Sequence, residues 1–396
     1  MNFEDRKQIL SYFLSEGYQL DEKALDFLIN NPNRKDDALR FLRESQPKTT
    51  TLTYEDVTKL FATSEAKFEI IKSPHIIEKP YSSETVTNYF SLRYDFIKNI
   101  LQRRIELVNL TSINKIGHTK QFSLITLIRE IDYVEKSLVV DDKTGSLKIF
   151  LHDIKSHPLL KDEVVGIVCK RDGDRIKATS ILSPNMPTKR EITRAENNIK
   201  CVFLSDFHLD NVNINRQFHE NYKRWCDGLK EDNLWFFILG GISDEIKQIG
   251  EFLKSLPIQS KKVLFGNPQT ISEAKNTIFL DDPSTVKLDN ITLFLSSGNF
   301  LKKYEESFKP SPENMLIQLI RKRHLNPTYD AYKPLYEKDP YILDTIPDII
   351  ALSSSETPTI TNYKGITTLT TGSFLTQPTF WVVNLHTRET IKIDFT

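Results

Sequence analysis

Two side chains with metal-binding chemistry stand one residue apart near the middle of the chain. Asp206 and His208 form an Asp-x-His sequence at the end of the apolar run KCVFLSDF. A carboxylate oxygen and an imidazole nitrogen are ordinary ligands of divalent metals, and two such metals held close together can activate water for phosphoester cleavage. The pattern therefore predicts a loop with metal-ligating side chains at the end of a strand.

Two further loops follow apolar runs in the same region. LWFFILGG ends in Gly241, and KKVLFGN is followed by Pro268. Because parallel strands end at one edge of a sheet, we expect these loops to meet the first one. Asn267 can ligate a metal, but Gly241 and Pro268 offer no ligand atom. The nearest carboxylate is that of Asp244, which lies three residues past the strand end and more simply caps the next helix.

The elements that must position these loops alternate in type. Residues 195–396 read as strand, helix, strand, helix and strand, then as further strands, which predicts a two-sheet sandwich with flanking helices. Residues 105–187 instead contain five short β-branched runs. Turn sequences at Asp141–Gly145 and Arg171–Asp174 separate consecutive runs, so we expect a small closed barrel of the OB type.

The part of the chain before the barrel has helical periodicity. Residues 1–45 read as three short helices that pack together, and residues 46–104 as a linker with connecting helices. The last of these helices, NYFSLRYDFIKNILQRR, carries basic residues that include Arg93. We expect a solvated basic face here, with a patch for phosphate or an acidic partner as the alternative.

Composition excludes several functional classes. The 53 basic and 53 acidic residues cancel, so no overall charge draws the chain to phosphate backbones. Cys169, Cys201 and Cys226 lie far apart beside apolar residues, which predicts buried, reduced thiols of an intracellular protein and no structural zinc or other cofactor. No apolar run approaches the roughly 18 residues of a membrane span, so neither secretion nor a membrane anchor is expected.

In order and spacing, the three strand-end loops resemble the calcineurin-like metallophosphoesterase family. The resemblance implies a metal-bridging aspartate where Gly241 stands, a histidine where Pro268 stands, and a later Gly-His-x-His sequence that IPDIIALSSSETP lacks. Only Asp206, His208 and Asn267 match. The resemblance therefore implies a vestigial centre with no metal and no catalytic residues, in which Asp206 has a structural role.

A barrel followed by such a domain is similar to the B subunits of eukaryotic replicative DNA polymerases, above all those of the epsilon class. VVDDKTGSLKIFL, VFLSDFHLDNV, HLNPTYDAYKPLYE and TGSF carry this resemblance. It implies a multidomain α+β protein in the nucleus that acts as a non-catalytic scaffold. Its implied partners are the zinc-bearing C-terminal region of the catalytic subunit and, through residues 1–45, the replicative helicase with its GINS complex. DNA is contacted only within the complex.

Two other functions remain open. The chain could be a metal-dependent phosphodiesterase, or a 3′ exonuclease of the archaeal small-subunit type, that uses Asp206 and His208. Alternatively, the barrel could bind single-stranded DNA through stacked aromatic side chains in a basic groove. The candidates for stacking are Phe122, Tyr133 and Phe150, but closure of the barrel favours all three as core residues.

Overall fold

The structure is a computed structural model that describes most of the chain. The described ranges are 3–30, 50–61, 66–78, 80–153, 158–209, 216–229, 233–243, 245–266, 275–304, 312–330, 334–353, 358–374 and 377–395. The chain divides into two units, Met1–Lys67 and Phe68–Thr396.

The first unit is helical and contains one pair of short strands. Its described elements are α1 (Phe3–Ser15), β1 (Gln19–Leu20), α2 (Glu22–Asn30), β2 (Thr51–Leu52) and α3 (Tyr54–Phe61). Strands β1 and β2 pair in parallel, and Leu52, which is 1% exposed, packs in the core with Phe13 and Val57. This unit therefore extends past the boundary expected at residue 45, because residues 51–61 supply a strand and core side chains.

Helix α4 (Ser83–Leu101) belongs to the core of the second unit. Tyr94 and Ile97 on one face pack with side chains of the barrel strands. The expectation that residues 46–104 form only a linker and connecting helices therefore does not hold for this helix. Arg93, expected on a solvated face, is 2% exposed because its partners come from distant parts of the chain.

The barrel contains five strands, which close in the order β4-β5-β6-β8-β7. They are β4 (Gln121–Asp132), β5 (Ser137–Asp142), β6 (Gly145–Phe150), β7 (Val164–Asp172) and β8 (Arg175–Leu182). Alternation along the strands places Leu124, Val140, Ile149 and Ile167 inside, where they form one buried cluster. All five strands lie within the range 105–187 expected for the barrel.

The three aromatic candidates of the barrel have different environments. Phe122 is fully buried, as expected for a core residue. Phe150 is half-buried, with the Arg175 guanidinium 5.1 Å from its ring centre. Tyr133 is 57% exposed, so the core prediction is wrong for this residue. It follows β4 in a turn where the Asp132 carboxylate accepts main-chain N–H groups, which directs the ring away from the barrel interior.

Two six-stranded sheets make up the rest of the second unit. The first has the order β12-β11-β10-β9-β18-β19 and the second β16-β17-β15-β14-β13-β3. The strands of the first sheet are β9 (Lys200–Leu204), β10 (Leu234–Ile238), β11 (Lys261–Phe265), β12 (Thr277–Leu280), β18 (Thr379–Asn384) and β19 (Thr390–Asp394). The strands of the second are β3 (Phe68–Lys72), β13 (Ser284–Leu288), β14 (Ile291–Ser296), β15 (Ile349–Ser353), β16 (Thr359–Tyr363) and β17 (Ile366–Thr371).

The first sheet carries the strand-end loops. Its strands β9 to β12 are parallel and are connected in part by helices α5 (Arg216–Asp227) and α6 (Ile246–Ser255), while α7 (Pro312–Arg321) follows β14. Every residue of β10 is buried, as is typical of a strand covered on both faces. The two-sheet domain was expected to start at residue 195, but its second sheet also includes β3, which comes from before the barrel.

A buried ion-pair network joins α4 to the segment that follows α7. Arg93 Nη2 donates to Asp339 Oδ2 at 2.6 Å, and both side chains are 2% exposed. The same oxygen accepts the Tyr89 hydroxyl at 2.7 Å and lies 2.8 Å from His324 Nε2. Arg93 Nη1 also donates to the main-chain oxygen of Asp162, beside barrel strand β7. One guanidinium thus connects the helix, the barrel and the two-sheet domain.

Candidate functional site

The Asp-x-His loop and the double-glycine loop meet at the edge of the first sheet. Strands β9 and β10 are parallel neighbours in register, so the loops that follow them lie side by side. The Asp206 N–H donates to the Gly240 oxygen at 2.9 Å, and the His208 N–H donates to the Gly241 oxygen at 2.9 Å. Main-chain hydrogen bonds therefore hold the two loops together.

Asp206 fills the space beside Gly241. A Cβ atom built at position 241 would lie 2.2 Å from Asp206 Oδ1 and 2.7 Å from Asp206 Cα. Gly241 also has a φ of +63°, a conformation that favours glycine. No side chain fits at this position while the two loops keep this arrangement.

The loop itself has an uncommon backbone conformation. Asp206 has a φ of +55° and His208 a φ of +45°, both in the left-handed region. Between them, Phe207 is fully buried and stacks on Phe374 with ring centres 4.2 Å apart. The Phe374 N–H donates to the Asp206 main-chain oxygen at 3.2 Å. The buried ring and these hydrogen bonds stabilise the conformation of the loop.

The carboxylate of Asp206 is half-buried and lacks metal-ligating neighbours. Burial raises the pKa of Asp206, while His208 and Lys302 act in the opposite direction. In the described ranges, no main-chain N–H donates to this carboxylate, so the loops are joined through the main chain and not through the side chain. Nor do the described residues include a group of three or more His, Cys, Asp or Glu that could hold a metal ion.

The remaining predicted positions lie partly outside the described residues. Asn267, Pro268 and Asp244 fall there, so their places in the vestigial motif stay predictions. Strand β11, which precedes the third loop, runs beside β10 as expected.

A hydroxyl network that the sequence reasoning missed lies beside the Asp206 loop. Ser353, the last residue of β15, donates to the Ser205 hydroxyl at 3.0 Å. The Ser205 oxygen lies 2.6 Å from Thr371 Oγ1, and all three side chains are buried. These neutral groups satisfy one another across the two sheets. The signal was present in SSS after β15 and in TTLTT, which covers most of β17, but hydroxyl runs have many structural uses.

A closed barrel followed by a two-sheet domain with an incomplete Asp-x-His centre defines a phosphoesterase-like class of protein. Residues 185–361 match the model of the DNA polymerase alpha/epsilon B-subunit family, and the chain belongs to that family. The family implies an accessory role in DNA replication within a DNA polymerase complex. The resemblance to polymerase B subunits is therefore confirmed at the level of the family. None of the described helices is long and apolar enough to cross a membrane.

Relatives of this chain are archaeal. The DNA polymerase II small subunit of Methanothermobacter thermautotrophicus is 22% identical over 378 residues, which cover 79% of this chain and 77% of that protein. The corresponding subunit of Archaeoglobus fulgidus is 22% identical over 463 residues, with 95% and 93% covered.

Solved structures with a similar fold cover half of the chain. An archaeal phosphodiesterase matches 50% of this chain and all of its own at 14% identity, with a TM-score of 0.32. Vps29 from Entamoeba histolytica in complex with zinc matches 50% of this chain and all of its own at 12% identity, with a TM-score of 0.29.

Proposed function

We propose that this chain is a non-catalytic scaffold subunit of a replicative DNA polymerase of the epsilon type and acts in the nucleus. The observation that carries the proposal is the contact between Asp206 and Gly241. A two-metal centre needs a bridging ligand, since the ions lie about 3.5–4 Å apart. At the position where the resemblance implies that bridge, the structure leaves no room for a side chain.

The scaffold role is supported by the construction of the second unit. Arg93 contacts the barrel at Asp162 and the two-sheet domain at Asp339, so these parts form one platform. Lys322 and Glu163 add a second buried ion pair between them, at 2.7 Å. In our proposal this platform binds the zinc-bearing C-terminal region of the catalytic subunit.

The first unit has its own buried core and supports the second half of the proposal. In this proposal the unit docks the replicative helicase through the GINS complex. DNA is contacted only when the whole assembly is present, in keeping with a net charge of zero.

One set of measurements tests the absence of catalysis. We expect the purified chain to contain no stoichiometric manganese, magnesium or zinc, and to release no nucleotides from a single-stranded DNA 3′ end with any of these metals. Manganese-dependent release that disappears in Asp206→Ala would instead support a nuclease of the archaeal small-subunit type.

A second measurement tests the partners. Co-expression with the C-terminal region of an epsilon-type catalytic subunit should give a stable complex, whereas the C-terminal region of another polymerase class should not. Equal binding to both would refute the epsilon assignment and leave the scaffold role intact.

A further inference from the structure

A cavity of about 420 Å³ lies between helices α5 and α6. Its walls are one face of each helix, because the lining residues His219, Tyr222 and Lys223 of α5 are spaced by three and four positions, as are Gln248 and Phe252 of α6. Pockets of about 300–1,000 Å³ commonly bind ligands in proteins. Two helices that packed fully against each other would leave no such space.

The α5 wall carries polar groups that have no partner. The Tyr222 side chain is 4% exposed, and its hydroxyl makes no hydrogen bond within the described part of the chain. The Cys226 thiol lies one turn away and does not satisfy the hydroxyl with normal geometry. Nε2 of His219 is likewise buried and unpaired. Buried polar groups are nearly always hydrogen-bonded, so these two call for an explanation.

Charge at the rim favours a ligand that supplies acceptors. Lys223 is exposed and forms no ion pair with any described residue, whereas Glu251 on the α6 wall already faces Lys247 at 4.0 Å. The Gln248 amide is also engaged, since its oxygen accepts the Ser243 hydroxyl at 2.9 Å. The available groups are therefore the hydroxyl and ammonium donors of α5, together with the ring of His219.

The floor of the cavity is apolar. Leu209 and Phe252 line it, and both belong to the aromatic-rich cluster under the first sheet. A ligand that fits must combine a bulky apolar body with nearby negative charge. We propose that this cleft is a docking site for a short acidic segment of a partner protein, which inserts one large apolar side chain between α5 and α6. The docking site does not depend on the type of polymerase proposed above.

Synthetic peptides test the proposal directly. The probes are fluorescein-labelled decapeptides that carry one tryptophan flanked by aspartates, by serines or by lysines, titrated with the full chain by fluorescence polarisation. We expect the aspartate-flanked peptide to bind at least tenfold more tightly than the lysine-flanked one, with a difference that shrinks as salt is raised. Absence of binding, or equal affinity for the three peptides, overturns the proposal.

Three variants locate the binding. Ser255→Trp fills the cleft and should weaken binding at least tenfold, while Gly250→Ala on the same helix should change nothing, since an added methyl group meets no atom within 4 Å there. Tyr222→Phe should weaken binding about fivefold without loss of thermal stability, because it removes only an unpaired hydroxyl. Binding that is unchanged in both Ser255→Trp and Tyr222→Phe excludes the cleft. If Ser255→Trp does not fold, Tyr222→Phe decides alone.

Discussion

Removal of the Asp339 carboxylate should destabilise the second unit more than any surface change. Asp339 accepts hydrogen bonds from Arg93 and Tyr89, and its oxygen lies beside His324. Asp339→Ala would leave the Arg93 guanidinium, 2% exposed, without a counter-charge. Loss of one partner from a buried ion pair costs about 3–5 kcal/mol. We therefore expect the free energy of unfolding to fall by about that amount.

Urea denaturation followed by tryptophan fluorescence measures this change. The three tryptophans, at positions 225, 235 and 381, all belong to the second unit, so their signal reports its unfolding without interference from the first. The matched control is Lys143→Met. Lys143 pairs with Asp95 at 2.7 Å, but both side chains are 50% exposed, and such surface pairs contribute about 0–1 kcal/mol.

The combination with Arg93→Met separates the charge from the packing. If the cost of Asp339→Ala is mainly the stranded guanidinium, the double variant should be more stable than Asp339→Ala alone, because the uncompensated charge is gone. A cost below about 1 kcal/mol for Asp339→Ala, similar to that of Lys143→Met, would refute the role assigned to this network.

Three further predictions concern the double-glycine loop, the first unit and a buried histidine. Gly241→Asp should lower stability by at least about 1 kcal/mol and should not create a metal site by calorimetry, because Asp206 occupies the space that the new side chain needs; manganese binding by this variant would contradict it. A chain lacking residues 1–67 should keep the urea midpoint of the full chain, whereas one lacking only residues 1–45 should aggregate through exposed core remnants, and light scattering distinguishes the two. Burial lowers the pKa of His324 to about 4, so the unfolded chain binds its proton near pH 6.5 before the folded chain does; stability should therefore fall as the pH drops from about 6.5 to 4, by up to about 1.4 kcal/mol per pH unit, and His324→Phe should flatten that slope.

The strands of the first sheet were predictable because their signal is local. KCVFL, LWFFI and KKVLF are short apolar runs that end in loop residues, and the structure has β9, β10 and β11 at these positions. Parallel strands with both faces covered need such runs, so the meeting of their loops followed from topology. The same reasoning located Asp206 beside Gly241, although it gave no indication that the two would compete for one space.

Long-range pairing explains what the sequence did not reveal. Arg93 and Asp339 are separated by 246 positions, and nothing in the helical pattern around Arg93 marks it as buried. The N-terminal boundary was missed for a similar reason. Strands β1 and β2 have two residues each, which is too short for any periodicity, yet their pairing joins residues 51–52 to the first helices. Such contacts depend on tertiary structure and override local propensity.

The survival of Asp206 and His208 is better explained by backbone conformation than by metal binding. Both residues lie in the left-handed region, which aspartate and histidine adopt more readily than most residues, and Phe207 between them is anchored in the aromatic cluster. Once position 241 is glycine, the Asp206 carboxylate can occupy the space of the missing side chain, and the main-chain hydrogen bonds to Gly240 and Gly241 fix that arrangement. A return to metal binding would therefore need the loop to change its path as well as its residues. A centre altered in this way serves as a rigid junction between strands, which is what a scaffold requires.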